Sequence, residues 1–201
     1  MNITNNKTIL RQEIRKEIRA RRRSLSEKDQ NDAEIALVMN FIQHIKLPTN
    51  ARVGCYLSND GELKTNKLIQ SLRKKSNTIH LPIIHPFNAQ TLLFQLYENN
   101  SPMKANAYGI LEPVLNCSEV CPIAQLDLLL MPLVAFDKQG NRMGMGGGYY
   151  DRTLASYYKQ NWETPRLIGL AHDCQQVDEL PTEVWDVPLQ AILTPTRFYQ
   201  W

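Results

Sequence analysis

The chain lacks a long apolar segment: no stretch of its 201 residues approaches the roughly 20 apolar residues that a membrane-spanning helix requires. Residues 1–23, MNITNNKTILRQEIRKEIRARRR, contain neither an apolar core nor a small-residue cleavage site, so a secretory signal is not predicted. This segment is rich in arginine, as organellar transit peptides are, but Glu13 and Glu17 are unusual in such peptides. We therefore expect a cytoplasmic protein with no membrane partner.

Cysteine and histidine are scarce, with four residues of each. Cys117 and Cys121 are four positions apart, whereas Cys55 and Cys174 are isolated. Zinc sites use a second close pair, or histidines at ligand spacing. The histidines are dispersed, and neither H-E-x-x-H nor G-x-S-x-G occurs. These absences disfavour a zinc site and the common hydrolase motifs, and they favour reduced thiols in a cytosolic protein.

The net charge is only +3, and positive charge is concentrated in one segment. Residues 11–23 contain six arginines and one lysine against two glutamates, which gives a local charge of +5 and leaves −2 for the rest of the chain. An RNA-binding protein that uses this basic helix is therefore an alternative function. Surfaces for single-stranded nucleic acid usually spread basic and aromatic residues over a whole face. We therefore favour a protein without a nucleic-acid partner.

Apolar residues and arginines form two neighbouring stripes near the N-terminus. Over residues 9–23 the apolar positions recur every four residues and predict an amphipathic helix (Leu10, Ile14, Ile18). The arginines recur with the same step, one residue later, which rotates their stripe by about 100° (Arg11, Arg15, Arg19). Guanidinium groups are thus expected along the seam where the helix meets the protein body. A solvated face of long arginine side chains is the alternative.

Alternating helices and apolar strands predict the remaining architecture. Ser24 and Glu27 are spaced as a capping box for a second helix that ends near Ile45. Its predicted inward face comprises Ile35, Val38, Met39 and Ile42. Thr65 is expected to cap a third helix, and TLLFQLY alternates like an antiparallel or edge strand. LDLLLMPLVAF is apolar almost throughout, as in a strand covered on both faces. The pattern predicts a single α/β domain over residues 1–201, with a largely parallel sheet.

Glycine is also scarce, yet four of the nine glycines lie within five positions of RMGMGGGYYDR, residues 142–152. The loop is expected between a buried strand and a helix that starts near Tyr149. Glycines without Cβ atoms let backbone N–H groups form a concave nest for phosphate at a helix N-terminus. The Walker A pattern fails because Tyr149 follows Gly148, and the third glycine of G-x-G-x-x-G would fall on Tyr149. A plain strand–helix turn therefore stays open as the alternative.

Two charged residues favour the phosphate interpretation. Asp151 lies in the first turn of the predicted helix, where a carboxylate either complements the helix dipole or binds Mg²⁺ beside a bound phosphate. Arg142 opens the loop, where a guanidinium group can pair with phosphate. The loop and its flanks therefore predict a nucleotide site.

These motifs resemble a known family. The 5-formyltetrahydrofolate cyclo-ligases, also called methenyltetrahydrofolate synthetases, contain segments similar to MPLVAFDKQGNRMGMGGGYYDR, LRQEIRKEIRARR, YLSNDGELKT, YGILEP and LPTEVWDVPLQAILTP, and the similarity extends over nearly the whole chain. The resemblance implies a three-layer α/β/α fold. It also implies that MgATP drives the conversion of 5-formyltetrahydrofolate into 5,10-methenyltetrahydrofolate, with ADP and phosphate as the other products. A relative of this fold that acts on another pterin or phosphorylated molecule is the alternative.

The resemblance also implies a set of site residues. ATP contacts fall on Arg11, Gln12, Glu13, Ile14, Arg15, Arg142, Met143, Gly144, Met145, Gly146, Gly147, Gly148, Tyr149 and Tyr150. Folate contacts fall on Arg15, Leu57, Glu62, Met145, Gly146, Gly147, Gly148 and Tyr149. The implied ligands of Mg²⁺ are Asp151 and Asp186. The arginines expected to stay solvated are Arg19, Arg21, Arg22 and Arg23.

The catalytic residues implied by the resemblance are Arg142 and Arg15. Some members of the family carry a lysine where Gly147 stands, so this loop offers only backbone at that position. Catalysis is therefore expected to rely on the two arginines and the metal. The expected cofactors are ATP and Mg²⁺, the expected partner is a small-molecule folate, and the expected state is a monomer.

Overall fold

The computed structural model describes residues 3–159 and 163–201. Within them the helices are α1 (Ile3–Arg23), α2 (Glu27–His44), α3 (Asn66–Lys74) and α4 (Tyr149–Lys159). The strands are β1 (Arg52–Gly54), β2 (Thr78–Ile84), β3 (Leu92–Leu96), β4 (Met103–Ala105), β5 (Leu111–Pro113), β6 (Val120–Cys121), β7 (Leu128–Pro132), β8 (Ala135–Phe136), β9 (Arg142–Met143), β10 (Arg166–Leu170), β11 (Ala191–Leu193) and β12 (Phe198–Gln200). In this described part of the chain, no helix is both long and apolar enough to cross a bilayer.

The central sheet has eight strands in the order β12-β11-β10-β7-β1-β2-β3-β6. Its middle is parallel, because β11, β10, β7, β1 and β2 pair in the same direction. Its edges are antiparallel: β3 pairs with β2 and β6, and β12 pairs with β11. The predicted α/β class with a largely parallel sheet is confirmed, as is the antiparallel setting of TLLFQLY, which forms β3. Two short hairpins, β4–β5 and β8–β9, are separate from this sheet.

Strand β7 is buried on both faces because its alternate side chains enter different cores. Leu128 and Leu130 belong to the core beneath α2 and α3, whereas Leu129 and Met131 pack in the core that contains Leu154 of α4. Helices therefore cover the sheet from both sides, as the three-layer arrangement requires. Each fully buried leucine contributes about 1.5–3 kcal/mol of transfer free energy. Because both faces of β7 are buried, nearly every residue of the strand is apolar, which accounts for the first part of the apolar run in the sequence.

That apolar run is not one strand. β7 ends at Pro132, and the chain then leaves the sheet to form the β8–β9 hairpin, in which Ala135 pairs with Met143 and Phe136 with Arg142. The glycine loop follows β9 and leads into α4, which begins at Tyr149 as predicted. The buried strand was predicted to end near Asp137, but it ends at Pro132, so the β8–β9 hairpin lies between this strand and the loop. This hairpin sets the glycine loop beside the end of β7.

The apolar stripe of α1 packs against the β8–β9 hairpin. Ile18 is fully buried beside Val134 and Met143, and Ile14 packs on the same cluster. Leu10, predicted to share the stripe, is about half exposed, because the short hairpin covers only the C-terminal half of the helix. This packing brings the arginine stripe of α1 to the loop that follows β9.

Helix α2 differs from the sequence prediction at its start and in its buried face. Ser26 and Asp29, rather than Ser24 and Glu27, form the capping box. The buried side chains are Gln30, Glu34, Leu37 and Phe41, whereas Ile35, Met39 and Ile42 are exposed and Val38 is partly buried. Two hydrogen bonds hold polar residues on the buried face of α2: Glu34 accepts from the N–H of Lys67, and Gln30 donates to the carbonyl of Gly61. Hydrophobic periodicity does not record such bonds.

Helix α3 is capped from outside its own segment. Thr65 occupies the N-cap position as predicted, but its side chain makes no capping bond. Its hydroxyl instead donates to the carbonyl of Tyr56 at 2.6 Å. The carboxylate of Glu34 accepts from Lys67 N in the first turn at 2.8 Å and so takes over the cap, adding a favourable negative charge at the helix N-terminus.

Candidate active site

A cavity of about 570 Å³ lies where the chain leaves the carboxyl ends of β1, β2 and β7. Ligands of open α/β sheets bind at this edge. Its apolar wall includes Leu57, Leu81, Pro82, Ile84, Leu111 and Leu133. Its polar lining includes Glu62, Arg142, Tyr149, Tyr150 and Asp151. The glycine loop forms one end of the cavity, and the β4–β5 hairpin lies over the apolar wall. An apolar slot with a few polar groups suits a flat organic ring system.

The glycine loop is shaped as an anion nest. Gly146 and Gly148 have φ angles of +104° and +65°, which residues with a Cβ rarely adopt. The carbonyls of Gly144 and Gly147 are turned outward and accept from Arg15 Nε, at 2.9 Å, and from Arg152 Nη2. Among the residues that the structure describes, the backbone N–H groups of 144–148 donate to no protein acceptor. The loop therefore offers free donors to a ligand, as a phosphate cradle requires.

Arg15 lies against this loop, on the seam that the sequence predicted. Besides its bond to Gly144, its guanidinium carbon lies 3.6 Å from the position that a Cβ on Gly146 would take. Burial lowers the pKa of Arg15, and the neighbouring Arg11 cation lowers it further, whereas Asp186 opposes the shift. Two positive charges are thus held side by side next to the nest, an arrangement that favours an anion between them.

The segment that carries Asp186 lies against Asp151, the other residue predicted to bind metal. Asp151 Oδ1 accepts from the N–H of Val187, the residue after Asp186, at 3.4 Å. Each carboxylate is paired with an arginine: Arg142 Nη2 contacts Asp151 at 2.5 Å, and Arg11 contacts both oxygens of Asp186 at 2.6 and 3.0 Å. The predicted phosphate-binding arginines therefore neutralise the predicted metal ligands in the protein alone.

This donor set fits Mg²⁺ bound together with phosphate. Within the described ranges, 3–159 and 163–201, no group of three or more His, Cys, Asp or Glu side chains could hold a metal by itself. Mg²⁺ commonly uses only one or two carboxylates and takes its remaining ligands from phosphate and water. Asp151 and Asp186 would supply the carboxylates, provided that their arginine partners move to the phosphate groups.

Two buried polar atoms in the cavity wall lack a partner within the described structure, namely Arg142 Nε and the Tyr150 hydroxyl. Buried donors of this kind normally have a hydrogen-bond partner. Burial raises the pKa of Tyr150, and Glu62 raises it further, so this hydroxyl stays a neutral donor. Both atoms are therefore set to bond a ligand in the cavity.

Glu62 is one of the acidic residues that line the cavity, and Leu57 lies on the same wall. Burial raises the pKa of Glu62 to about 7, although the N–H of Asn59 and the Arg22 cation act in the opposite direction. Asn59 N donates to Glu62 Oε2 at 3.0 Å and fixes one carboxylate oxygen. The other oxygen is free to contact a ligand, either as an acceptor or, when protonated, as a donor.

Some predicted contact residues have other roles. Ile14 and Met143 pack in the cluster between α1 and the β8–β9 hairpin, so they support the site from behind. Gln12 and Glu13 are exposed, and no hydrogen bond or ion pair in the described structure joins them to the glycine loop. Their predicted contacts with ATP stay predictions.

Tyr108, in the YGILEP segment, was not among the predicted site residues. Its hydroxyl lies 2.8 Å from that of Tyr149, and the two rings pack edge to face with centroids 5.9 Å apart. Tyr108 is nevertheless 63% exposed. The pair links the β4–β5 hairpin to the start of α4 across the mouth of the cavity. An aromatic residue beside a turn glycine, Gly109, in a segment singled out as a motif was the available signal.

The prediction that Arg19, Arg21, Arg22 and Arg23 face water was wrong for Arg22, and Arg19 is only partly exposed. Arg22 is fully buried, and its Nη2 contacts Asp60 Oδ2 at 2.8 Å. Arg19 and Arg23 pair with the same carboxylate. Arg21 and Arg23 are exposed, as predicted; Arg21 pairs with Glu17 one turn earlier on the helix, and Arg23 pairs with Asp60. The burial of Arg22 goes with its pairing to the partly buried carboxylate of Asp60.

Comparison with known proteins supports the same picture. The sequence profile of the 5-formyltetrahydrofolate cyclo-ligase family matches residues 7–195. The 5-formyltetrahydrofolate cyclo-ligase of Haemophilus influenzae is 49% identical over 185 residues, which cover 91% of this chain and 96% of that protein. The Escherichia coli K12 enzyme of the same name is 42% identical over 186 residues, covering 92% of this chain and all of that protein.

Two solved structures are also similar. The 5,10-methenyltetrahydrofolate synthetase of Aquifex aeolicus superposes with a TM-score of 0.78 at 25% identity, covering 95% of this chain and 92% of that one. The corresponding synthetase of Mycoplasma pneumoniae gives a TM-score of 0.71 at 23% identity over 92% and 98% of the two chains, which supports the fold. Given the profile match over most of its length and relatives above 40% identity, the chain belongs to the 5-formyltetrahydrofolate cyclo-ligase family.

Proposed function

We propose that the protein converts 5-formyltetrahydrofolate into 5,10-methenyltetrahydrofolate, with MgATP consumed and ADP and phosphate released. One observation carries the proposal: an apolar cavity with an acid at Glu62 opens directly onto a glycine nest flanked by Arg15 and Arg142. A ring system in the cavity and a phosphate in the nest would be neighbours. The RNA-binding alternative loses its support, because Arg19, Arg22 and Arg23 are engaged by Asp60.

Bound MgATP would supply a phosphoryl group for the formyl oxygen and so make that oxygen a good leaving group; N10 of the folate could then attack the formyl carbon, with loss of phosphate and of the N10 proton. Phosphoryl transfer depends mostly on positioning and charge stabilisation. The residues of this chain are suited to both tasks. The N–H groups of residues 144–148 are preorganised donors, and they need no reorganisation as negative charge develops.

The arginines have distinct parts in this proposal. Arg142 Nε, buried without a partner among the described residues, would donate to a phosphoryl oxygen. Arg15 would bind a second oxygen from the other side of the loop while keeping its bond to Gly144. Arg11 would exchange Asp186 for phosphate, which frees the Asp186 carboxylate for Mg²⁺. Without a nucleotide, the ion pairs Arg11–Asp186 and Arg142–Asp151 would neutralise the charges of these four side chains.

At the proposed folate end of the cavity, a few polar groups set in an apolar wall would bind and orient the pterin. Glu62 would accept hydrogen bonds from the N–H edge of the pterin, and the Tyr150 hydroxyl would donate to a ring or formyl acceptor. Leu57 would contact one face of the ring system, and Met145 and Tyr149 would border it at the glycine loop. We further propose that the protein acts as a cytoplasmic monomer without a nucleic-acid partner.

The proposed activity can be tested by following the absorbance of methenyltetrahydrofolate. The purified protein is mixed with 5-formyltetrahydrofolate, with and without MgATP. We expect product only when both Mg²⁺ and ATP are present, with one ADP formed per product. Product formation that does not depend on ATP, or ATP hydrolysis without product, would contradict the proposal. A parallel salt-titrated RNA-binding assay is expected to show no specific binding.

The raised pKa of Glu62 gives a pH-dependent prediction. Above a pH of about 7 the carboxylate is charged and accepts hydrogen bonds from the pterin, so the KM for 5-formyltetrahydrofolate should fall as the pH rises from 6 to 8. The variant Glu62→Gln should show a higher KM that is nearly independent of pH over this range. Initial rates at several folate concentrations and four pH values measure both effects. Equal pH dependence in the two proteins would contradict this role for Glu62.

The same pKa shift affects stability. The folded protein holds the Glu62 proton up to about pH 7, whereas the unfolded chain releases it near 4.5. The free energy of unfolding therefore decreases as the pH rises from 4.5 to 7. Glu62→Gln should be more stable than the wild type at pH 8, by on the order of 2 kcal/mol, and the difference should vanish below pH 4.5. Urea unfolding at pH 4.5 and 8 measures it.

A further inference from the structure

Several ion pairs link the C-terminal end of α1 to the turn that precedes Glu62. Arg22 is fully buried, and three arginines converge on the single carboxylate of Asp60. Partial burial pushes the pKa of Asp60 upward, but hydrogen bonds from Arg19, Arg23 and Arg22 outweigh it and lower the pKa to about 2. A buried guanidinium group is costly unless it is fully engaged. One exposed arginine would suffice to pair with Asp60, so the burial of Arg22 calls for another explanation.

The bonds of Arg22 fix the backbone of the turn as well as the carboxylate. Its Nε donates to the carbonyl oxygen of Asp60 at 2.8 Å, and its Nη2 donates to Asp60 Oδ2 at 2.8 Å. Asp60 and Gly61 have φ angles of +53° and +73°. Such consecutive left-handed residues are unfavourable for a residue with a Cβ. A Cβ on Gly61 would lie 3.2 Å from the carbonyl oxygen of Arg22, so the turn is pressed against the end of α1.

The turn at residues 59–61 also fixes the side chain of Glu62. The N–H of Glu62 donates to the carbonyl of Asn59 at 2.9 Å, and the N–H of Asn59 donates back to Glu62 Oε2 at 3.0 Å. Gln30 of α2 holds the carbonyl of Gly61 at 3.2 Å. The position of the Glu62 carboxylate in the cavity therefore follows from the conformation of residues 59–61. That conformation is held by Arg22.

Arg22 also reaches the other side of the cavity. Its Nη1 donates to the carbonyl of Leu133, on the segment between β7 and β8, at 3.4 Å. Its Nη2 lies 3.7 Å from the sulfur of Met145 in the glycine loop. Both Leu133 and Met145 line the cavity. One buried side chain thus contacts three segments that surround the proposed folate site.

We propose that Arg22 is a positioning residue for the folate substrate, which together with Asp60 sets the placement of Glu62 and of Met145 without touching the substrate. This inference rests on the proposed function, because it assigns the cavity to folate. Arg22 does not line the cavity, so it acts through the residues that do. Arg19, which does line the cavity, completes the pairing of Asp60 from the solvent side.

The charges around Glu62 provide a readout that a purely structural role would not move. Arg22 and Arg19 lower the pKa of Glu62, whereas Asp60 raises it. Among the described residues, the other titratable groups that interact with Glu62 or Arg22 are Tyr56, Tyr150, His172 and Cys174. Burial, followed by the Arg22 cation, lowers the pKa of His172 to about 4, so His172 is neutral at the pH of the assay. Removing Arg22 and removing the Asp60 charge should therefore shift the pH midpoint of folate binding in opposite directions.

The test compares Arg22→Gln and Asp60→Asn with the matched control Arg23→Gln. Arg23 contacts the same carboxylate but is exposed, and it reaches neither the Asp60 carbonyl nor Met145. We expect Arg22→Gln and Asp60→Asn to raise the KM for 5-formyltetrahydrofolate by about 10- to 100-fold. The KM for MgATP and kcat should change less than about threefold, and Arg23→Gln should resemble the wild type in all constants. The pH midpoint should move upward in Arg22→Gln and downward in Asp60→Asn.

Thermal melts of each variant show whether it is folded. Should the buried substitution at Arg22 prevent folding, Asp60→Asn decides alone, because its side chain is nearly isosteric. The positioning role is overturned if the wild type is active and the folded variants Arg22→Gln and Asp60→Asn have the same KM for 5-formyltetrahydrofolate as the control Arg23→Gln. It is also overturned if both midpoints move in the same direction or stay in place. A wild type that forms no methenyltetrahydrofolate overturns the proposed function itself, and this outcome is distinct from the other two.

Discussion

Replacing Gly146 with valine should raise the KM for ATP by about 100-fold while the protein stays folded. Gly146 has a φ angle of +104°, outside the regions open to a β-branched residue. A Cβ at this position would lie at ordinary contact distance from the Arg15 guanidinium group, 3.6 to 3.9 Å, so the strain comes from the φ angle and the branched side chain. The loop must therefore change its conformation, and the N–H groups of residues 144–148 would no longer converge on one point. Initial rates at varied MgATP measure the effect.

Gly140→Val is the matched control for backbone strain. Gly140 has a φ angle of +88° in the turn between β8 and β9, and a Cβ there would meet the ring of Trp201 at 2.9 Å. We expect this variant to lose thermal stability without a change in the KM for ATP. If Gly146→Val is folded and binds ATP like the wild type, the loop is a plain strand–helix turn and not a phosphate nest.

Replacing Asp151 or Asp186 with asparagine should raise the Mg²⁺ concentration needed for half-maximal rate by about tenfold or more. Each substitution removes one of the two carboxylates available to the metal, and it also leaves Arg142 or Arg11 without its ion-pair partner. The KM for 5-formyltetrahydrofolate should change less than about twofold, because Glu62 and the apolar wall are untouched. Titration of Mg²⁺ at saturating folate and ATP measures the shift.

Glu183→Gln is the control for a general change of charge. Glu183 lies three residues before Asp186, and its carboxylate pairs with Lys7 at 3.4 Å. In the described structure its side chain bonds to neither Asp151 nor Asp186, and only its backbone N–H donates to Asp186 Oδ2, so loss of its charge should leave the Mg²⁺ dependence as in the wild type. Wild-type magnesium dependence in both Asp151→Asn and Asp186→Asn would refute the shared metal site. A shift in only one of them would assign the metal to that carboxylate alone.

The parts of the site that the sequence predicted are those with local signals. The glycine cluster marked the loop, and the four-residue step of Arg11 and Arg15 placed both arginines on the seam of α1. The side chains of Ile14 and Ile18 then determined which way the helix faces, since burial of apolar surface dominates packing. These features depend only on residue spacing within one helix or one loop, which the sequence contains, so the structure agrees with the predicted loop position and with the predicted orientation of α1.

Arg22 shows why the rest was not predictable. It lies four residues after Ile18, on the continuation of the apolar stripe, so its position indicated burial while its charge indicated solvent. The partner that resolves the conflict, Asp60, is 38 residues away in the chain. A sequence pattern contains no record of that distance. The face of α2 was wrong for the same reason, because Glu34 is buried through its bond to Lys67, 33 residues later.

The ion pair between Arg11 and Asp186 joins residues 175 positions apart, and this separation constrains when the nucleotide site can first exist. A ribosome adds residues in order at about 5 to 20 per second, so α1 waits about 10 to 35 s for Asp186 to be made. During most of that interval Ile14 and Ile18 have no hairpin to cover them, because residues 134–143 are themselves unmade. The emerging N-terminal helix therefore has its apolar side chains Ile14 and Ile18 uncovered during most of synthesis, and the Arg11–Asp186 pair can form only once the chain is complete.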